Sequence, residues 1–119
     1  MAPRVVAVVK DLLFVARIGE TARLVGTPLV FVRTPEELGA ELEGEKPALI
    51  ILDLTTTGWD YPAFFARIAE KAPGLPVLGF TTHALARETQ PLHARCARVV
   101  TKETLAQELP TILKQGRAA

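Results

Sequence analysis

The chain has 119 residues, 49% of them apolar, and 14 basic against 13 acidic residues leave a net charge of +1. That is enough apolar material for one domain with a core, which excludes intrinsic disorder, and the near-neutral balance gives no field to gather nucleic acid or an anionic membrane. No apolar run reaches the roughly 18–20 residues of a membrane span, serine and asparagine are absent, and Cys96 is the only cysteine. A serine nucleophile, an N-linked glycan and an internal disulfide are therefore excluded, and the lone thiol agrees with a reducing compartment. The scarcity of Asn, Cys and Met hints at a thermophilic source, although a GC-rich genome produces the same bias. The opening Met-Ala-Pro-Arg runs straight into a strand-like stretch without a signal-peptide cleavage pattern, so the cytoplasm is the expected location.

In chain order, Arg4 to Val9 is a buried strand ended by Lys10-Asp11. A helix is predicted from Leu12 to Val25, with Asp11 as N-cap and Gly26 as its stop. Phe14, Ile18, Ala22 and Val25 form its apolar stripe. Leu29 to Val32 is a short second strand. Thr34-Pro35-Glu36-Glu37 reads as a helix start with a Thr cap, proline in the first turn and acids behind it, running to about Gly44. Pro47 to Asp53 is the central strand; Leu49, Ile50, Ile51 and Leu52 do not alternate with polar residues, which marks a strand covered on both faces. Asp60 caps a helix from Tyr61 to Ala72. Val77 to Thr81 is a fourth strand. A weak helix runs from Ala84 to about Gln90, where Pro91 is expected to end it. Ala97 to Thr101 is a fifth strand, and a last helix spans Lys102 to about Gln115 with a kink or restart at Pro110.

Strands alternate with helices throughout, without repeat, linker or second domain. The predicted fold class is α/β, a single-domain flavodoxin-like, doubly wound parallel sheet of five strands with about five helices over residues 1–119. No G-x-G-x-x-G or G-K-[ST] loop occurs among the scattered glycines, which argues against a nucleotide-binding Rossmann domain.

In such a sheet the C-terminal strand ends converge on one rim, where ligands and chemistry collect. That rim receives Lys10 and Asp11, then Asp53, then Thr81 and Thr82, then Thr101 and Lys102. The whole chain resembles the receiver domain of bacterial response regulators (CheY-like). Val-Val-Lys10-Asp11 falls where receivers carry an acidic pair, and Leu-Ile-Ile-Leu-Asp53 resembles their phospho-acceptor strand. Pro76-Val-Leu-Gly-Phe-Thr81 resembles the strand ending in the switch hydroxyl, and Val99-Val-Thr-Lys102 the one ending in the phosphate-contacting lysine. The resemblance implies Asp53 as phospho-acceptor, Asp11 and Asp53 as ligands of Mg²⁺, and Thr81 and Lys102 as phosphate contacts. It also implies two-component or phosphorelay signalling through a sensor kinase or a downstream effector, commonly met at the surface of the fourth helix, fifth strand and fifth helix.

Several residues depart from the family pattern. Lys10 replaces an expected acid, which weakens any Mg²⁺ site, and it is placed to pair with Asp53 instead. Leu-Thr-Thr-Thr-Gly follows Asp53 where the family has Met-Pro. Val99 stands where receivers usually have an aromatic, and Glu103 where they have proline, which disfavours a cis peptide there. The reading is thus a stand-alone, degenerate receiver: a signalling or adaptor module, not an enzyme, that binds a protein partner and requires no cofactor. Two alternatives are a working Mg²⁺-dependent phospho-receiver phosphorylated on Asp53, and a small flavodoxin-like enzyme or ligand binder with a deep pocket at the rim. A further alternative is a structural module.

Other residues admit plainer roles. Asp11 suits a helix N-cap whatever else it does. Lys102 opens a helix, a poor place for a cation without a partner such as Asp53. His93 and Cys96 have metal-like spacing, yet only His83 remains as a further nitrogen ligand, so zinc is disfavoured. Arg87, His93, Arg95, Arg98 and Lys102 form a basic stretch without stacking aromatics, which fits a solvated face rather than nucleic acid. Trp59 and Tyr61 serve a partner surface or cover the core. Leu12, Leu13, Phe14 and Val15 point to all sides of the first helix, so some of them stay exposed and suit a homodimer contact.

Overall fold

The computed structural model describes residues 3–118. Five strands form one parallel sheet: β1 (Val5–Val8), β2 (Leu29–Val32), β3 (Leu49–Asp53), β4 (Val77–Thr81) and β5 (Arg98–Thr101), in the order β2-β1-β3-β4-β5. This is the flavodoxin-like order, whose direction of winding reverses beside β1. Helices α1 (Leu12–Val25), α2 (Leu38–Glu41), α3 (Tyr61–Lys71), α4 (Ala86–His93) and α5 (Lys102–Gln115) connect the strands, with a 3₁₀ turn at Pro35–Glu37 leading into α2.

The sheet is covered on both sides, as the unbroken apolar strands demand. On one face Val5, Ala7, Leu49, Ile51, Leu78, Phe80 and Val100 pack against Ile18 and Ala22 of α1 and Leu105, Leu109, Ile112 and Leu113 of α5. On the other, Val6, Val8, Ile50, Leu52 and Val77 pack against Leu38 of α2 and Phe64, Phe65 and Ile68 of α3. Leu92 and Cys96, at the end of α4 and just beyond it, lean on this second face. β1, β3 and β4 are buried along their whole length, while the edge strands β2 and β5 are mostly half-buried.

Several local expectations change. Thr34 makes no side-chain cap; Glu37 reaches back to accept from the Arg33 amide at 3.2 Å. The second helix is short and ends at Glu41. α4 continues through Pro91 to His93, because Pro91 and Arg87 are exposed and the carbonyl that loses its amide partner is left to water. Thr89 also bonds across that same turn to His93. α5 is continuous past Pro110, which is exposed, with Leu109, Ile112 and Leu113 anchored in the core around it. Among the described residues every peptide bond is trans.

Candidate functional site

The rim assembles where β1, β3, β4 and β5 end. Asp11 follows β1 and caps α1, its Oδ1 accepting from the amides of Leu13 at 3.0 Å and Phe14 at 3.4 Å. Its second oxygen, Oδ2, accepts from Lys102 Nζ at 3.1 Å. The cap and the charged role coexist on one carboxylate. Lys102 donates across the rim from the first turn of α5, and its ammonium also stands 5.5 Å from the centre of the Phe14 ring. That ring stacks on Phe80 at 5.1 Å and 19°. A lysine at a helix N-terminus opposes the helix dipole, and Asp11 with the aromatic face offsets that misfit. Chiefly through the Lys102 hydrogen bond, and with help from the two amides, the Asp11 carboxyl is held below its ordinary value; partial burial opposes this and loses.

The partner of Lys102 is therefore Asp11 and not Asp53. Asp53 is only 3% exposed. Its Oδ1 turns onto the following loop, accepting from the Thr55 amide at 2.8 Å and the Thr55 hydroxyl at 2.6 Å, an Asx-type turn that short polar side chains favour after a strand. The Asp53 carbonyl accepts from the Tyr61 hydroxyl at 2.7 Å, and the same phenol lies 3.2 Å from both the amide and the carbonyl of Thr56. Burial raises the Tyr61 hydroxyl well above its ordinary value, so it stays a protonated donor. Tyr61 is buried and meets Trp59 edge-on at 6.1 Å, so this pair covers the core.

Lys10 does not reach Asp53. It is exposed, and no ion pair among the described residues includes it. Val9 is the last buried residue of the first strand region, and the next side chain turns to water. The basic stretch is partly neutralised: Arg98 forms a two-pronged pair with Glu108, at 2.7 and 3.1 Å, and the Arg95 guanidinium lies 6.0 Å from the centre of the Phe65 ring.

Thr81 and Thr82 separate cleanly. Thr82 is half-buried and its hydroxyl accepts from the Leu85 amide at 3.2 Å, closing the turn into α4. Thr81 is 3% exposed and its Oγ1 lies 3.1 Å from Thr89 Oγ1. Thr89 in turn lies 2.8 Å from His93 Nε2 and 3.3 Å from the Ala86 carbonyl. Sequence reasoning missed Thr89, Thr55 and the hydroxyl of Tyr61. The signals available were a threonine inside an otherwise polar helix and the Asp-Leu-Thr turn after β3.

A divalent cation beside Asp11 and Asp53 fits this donor set poorly. Both oxygens of Asp11 are engaged, one of them by a cation, and one oxygen of Asp53 is held by Thr55. Among the described residues no three His, Cys, Asp or Glu side chains converge as metal ligands, and His83, His93 and Cys96 do not form such a group. Burial pushes the Cys96 thiol up to about 11, which makes it an unreactive filler. Two cavities stand out, and neither is lined by Asp11, Asp53, Thr81 or Lys102. The larger, about 320 Å³, runs between the loop after β3 and α4, with Leu54, Thr57, Tyr61, Leu85 and Leu92 on its walls.

No family model matches this chain, and no curated protein matches it. Solved structures do. The receiver domain of the sensor histidine kinase PA1611 from Pseudomonas aeruginosa, which holds a magnesium ion in its active-site cleft, is 20% identical with a TM-score of 0.77, over 98% of this chain and all of that one. The chemotaxis response regulator CheY4 of Vibrio cholerae is 19% identical with a TM-score of 0.75, over 95% of this chain and all of that one. NtrX from Brucella abortus matches with a TM-score of 0.78 at 19% identity, over 94% of this chain but only 26% of that longer one. The chain has the CheY-like receiver fold, and no helix among the described residues is long and apolar enough to cross a membrane.

Proposed function

We propose that this chain is a signalling or adaptor module that works by binding another protein, a sensor kinase or a downstream effector, through a receiver-like surface whose phospho-acceptor site is incomplete. Receiver folds of CheY and NtrX type support the coarse reading as a signalling module. One observation carries the finer one. The lysine expected beside Asp53 is paired with Asp11, so the only acid left of the usual pair is occupied by a cation. Asp53 keeps the acceptor position, Thr81 the switch position and Lys102 the phosphate-contact position, while Lys10 withholds the second acid.

The magnesium-bearing receiver among the structural neighbours keeps a second reading in play, a phospho-receiver that takes a phosphoryl group on Asp53 with Mg²⁺. Amide NMR during titration with Mg²⁺, then with beryllofluoride, separates the two. The expected result is no saturable shift around Asp53 in the native chain. Lys10→Asp is expected to raise Mg²⁺ affinity by about tenfold, since it removes a cation and restores a carboxylate. Saturable beryllofluoride binding by the native chain that disappears in Asp53→Ala would replace the incomplete site with a working one.

A further inference from the structure

The hydroxyls of Thr81 and Thr89 and the ring of His93 form a chain of three polar groups from the end of β4 to the last residue of α4. Thr81 and Thr89 are buried, at 3% and 5% exposure, and His93 is half-buried. The links are 3.1 Å from Thr81 Oγ1 to Thr89 Oγ1 and 2.8 Å from Thr89 Oγ1 to His93 Nε2. Each threonine hydroxyl has one hydrogen to give, so the state of the His93 ring dictates the direction of the whole chain. A neutral ring with a bare Nε2 takes the Thr89 hydrogen over the shortest link, and Thr89 is then open to receive the hydrogen of Thr81. A ring that has gained a proton donates from Nε2 to Thr89. The Thr89 hydrogen then turns to Thr81 at 3.1 Å, ahead of the Ala86 carbonyl at 3.3 Å. Thr81 becomes an acceptor, and its own hydrogen is released from α4.

We propose that Thr89 and His93 are positioning residues for the Thr81 hydroxyl, that the neutral His93 ring keeps Nε2 bare toward Thr89, and that uptake of one proton on that ring reverses the chain and frees the Thr81 hydroxyl. The inference rests on the preceding reading only in taking Thr81 as the switch position; it needs neither a metal nor a phosphoryl group. Little else charged competes for the ring. β4, against which α4 packs, contains no ionisable residue. Arg98 of β5 is paired with Glu108, Asp53 of β3 turns onto Thr55, and Lys102 is held by Asp11. On α4 itself Arg87 and Glu88 are exposed, and beyond it Arg95 lies against Phe65 while Cys96 gives its hydrogen to the Leu92 carbonyl at 3.6 Å. Among the described residues the ring of His93 has no hydrogen-bond partner other than Thr89.

Histidine changes charge between about pH 5 and 8, so a pH titration of labelled protein reads the chain directly. The measurements are the His93 ring nitrogens and the methyl groups of Thr81 and Thr89. The expected result is a Thr81 methyl shift with the same midpoint as the His93 ring, abolished in Thr89→Val, which keeps the shape and removes the hydroxyl. His93→Gln is expected to leave Thr81 flat across the range. A Thr81 methyl that stays flat while His93 titrates, or that still follows His93 in Thr89→Val, overturns the proposal, as does a ring that never changes state. Beryllofluoride forms the second arm. A native chain that binds it at Asp53 defeats the incomplete-site reading and leaves the methyl result to decide the hydroxyl chain.

Discussion

Asp11 and Asp53 are both carboxylates at strand ends, and their surroundings give them opposite roles. Asp11 is about one-third exposed at its side chain and carries a helix cap on one oxygen and a lysine on the other. Asp53 is buried and bound into its own loop. The Asp11 carboxyl sits below its ordinary value, so its contribution is present above the unfolded value and is lost as the pH falls through the folded one. With this exposure the ion pair is worth less than about 1 kcal/mol. In Lys102→Met, carbon-detected titration of the Asp11 carboxyl is expected to show its midpoint rising toward the ordinary carboxylate value, with a small loss of stability at neutral pH that shrinks in acid. A midpoint unmoved by the substitution would mean that the two amides alone hold the carboxylate.

Tyr61 matters more to stability. Its hydroxyl donates to the buried Asp53 carbonyl, so Tyr61→Phe leaves that carbonyl without its donor. The expected cost is about 1–3 kcal/mol, read as a lower urea midpoint at unchanged slope. The positions of Asp11, Asp53, Thr81 and Lys102 on one rim were legible from strand patterning alone. Which carboxylate takes Lys102 was not. That depends on Thr55 folding Asp53 inward and on α1 presenting Asp11, and strand patterning reports neither.

Among the elements, β4 is sensitive to a single atom. A Cβ at Gly79 would meet Leu54 Cδ1 at 2.8 Å and Cys96 Sγ at 2.9 Å. Both neighbours are packed against the second face, and Cys96 sits just beyond α4. Gly79→Ala is expected to cost about 1–3 kcal/mol through overpacking, and Leu54→Val in the same chain should recover part of it. A neutral Gly79→Ala in a thermal melt would show that Leu54 swings aside freely. The α4 boundary shows where sequence patterning gave out. Proline is a helix breaker by rule, yet an exposed Pro91 loses only a carbonyl bond that water replaces, and the helix carries His93 one turn farther, onto Thr89. The α2 region failed for the converse reason: its cap signals are intact, but Thr34 makes no cap bond.

For the whole molecule, the two-sided sheet follows from the unbroken apolar strands, and its winding was readable from the alternation of strands and helices. What alternation does not give is how far the domain depends on α5. That helix supplies Leu105, Leu109, Ile112 and Leu113 to one face, and its Leu113 carbonyl accepts from the buried Thr27 hydroxyl at 2.7 Å. A chain stopped after Thr101 is expected to lack cooperative unfolding in urea and to show poorly dispersed amide signals, because one face of the sheet stays open. A cooperative transition in that truncated chain would show that α1 alone can close the face.

The same helix sets a timetable for synthesis. β1 and α1 are made well before α5, the helix that shares their face of the sheet. A growing chain can order α2 and α3 against their side of the sheet while the other side has only α1. Until Lys102 emerges, Asp11 has no lysine and Phe14 no cation above it, and Thr27 waits further, for the Leu113 carbonyl. Both partners come from α5, so this face of the sheet closes only once that helix has been made.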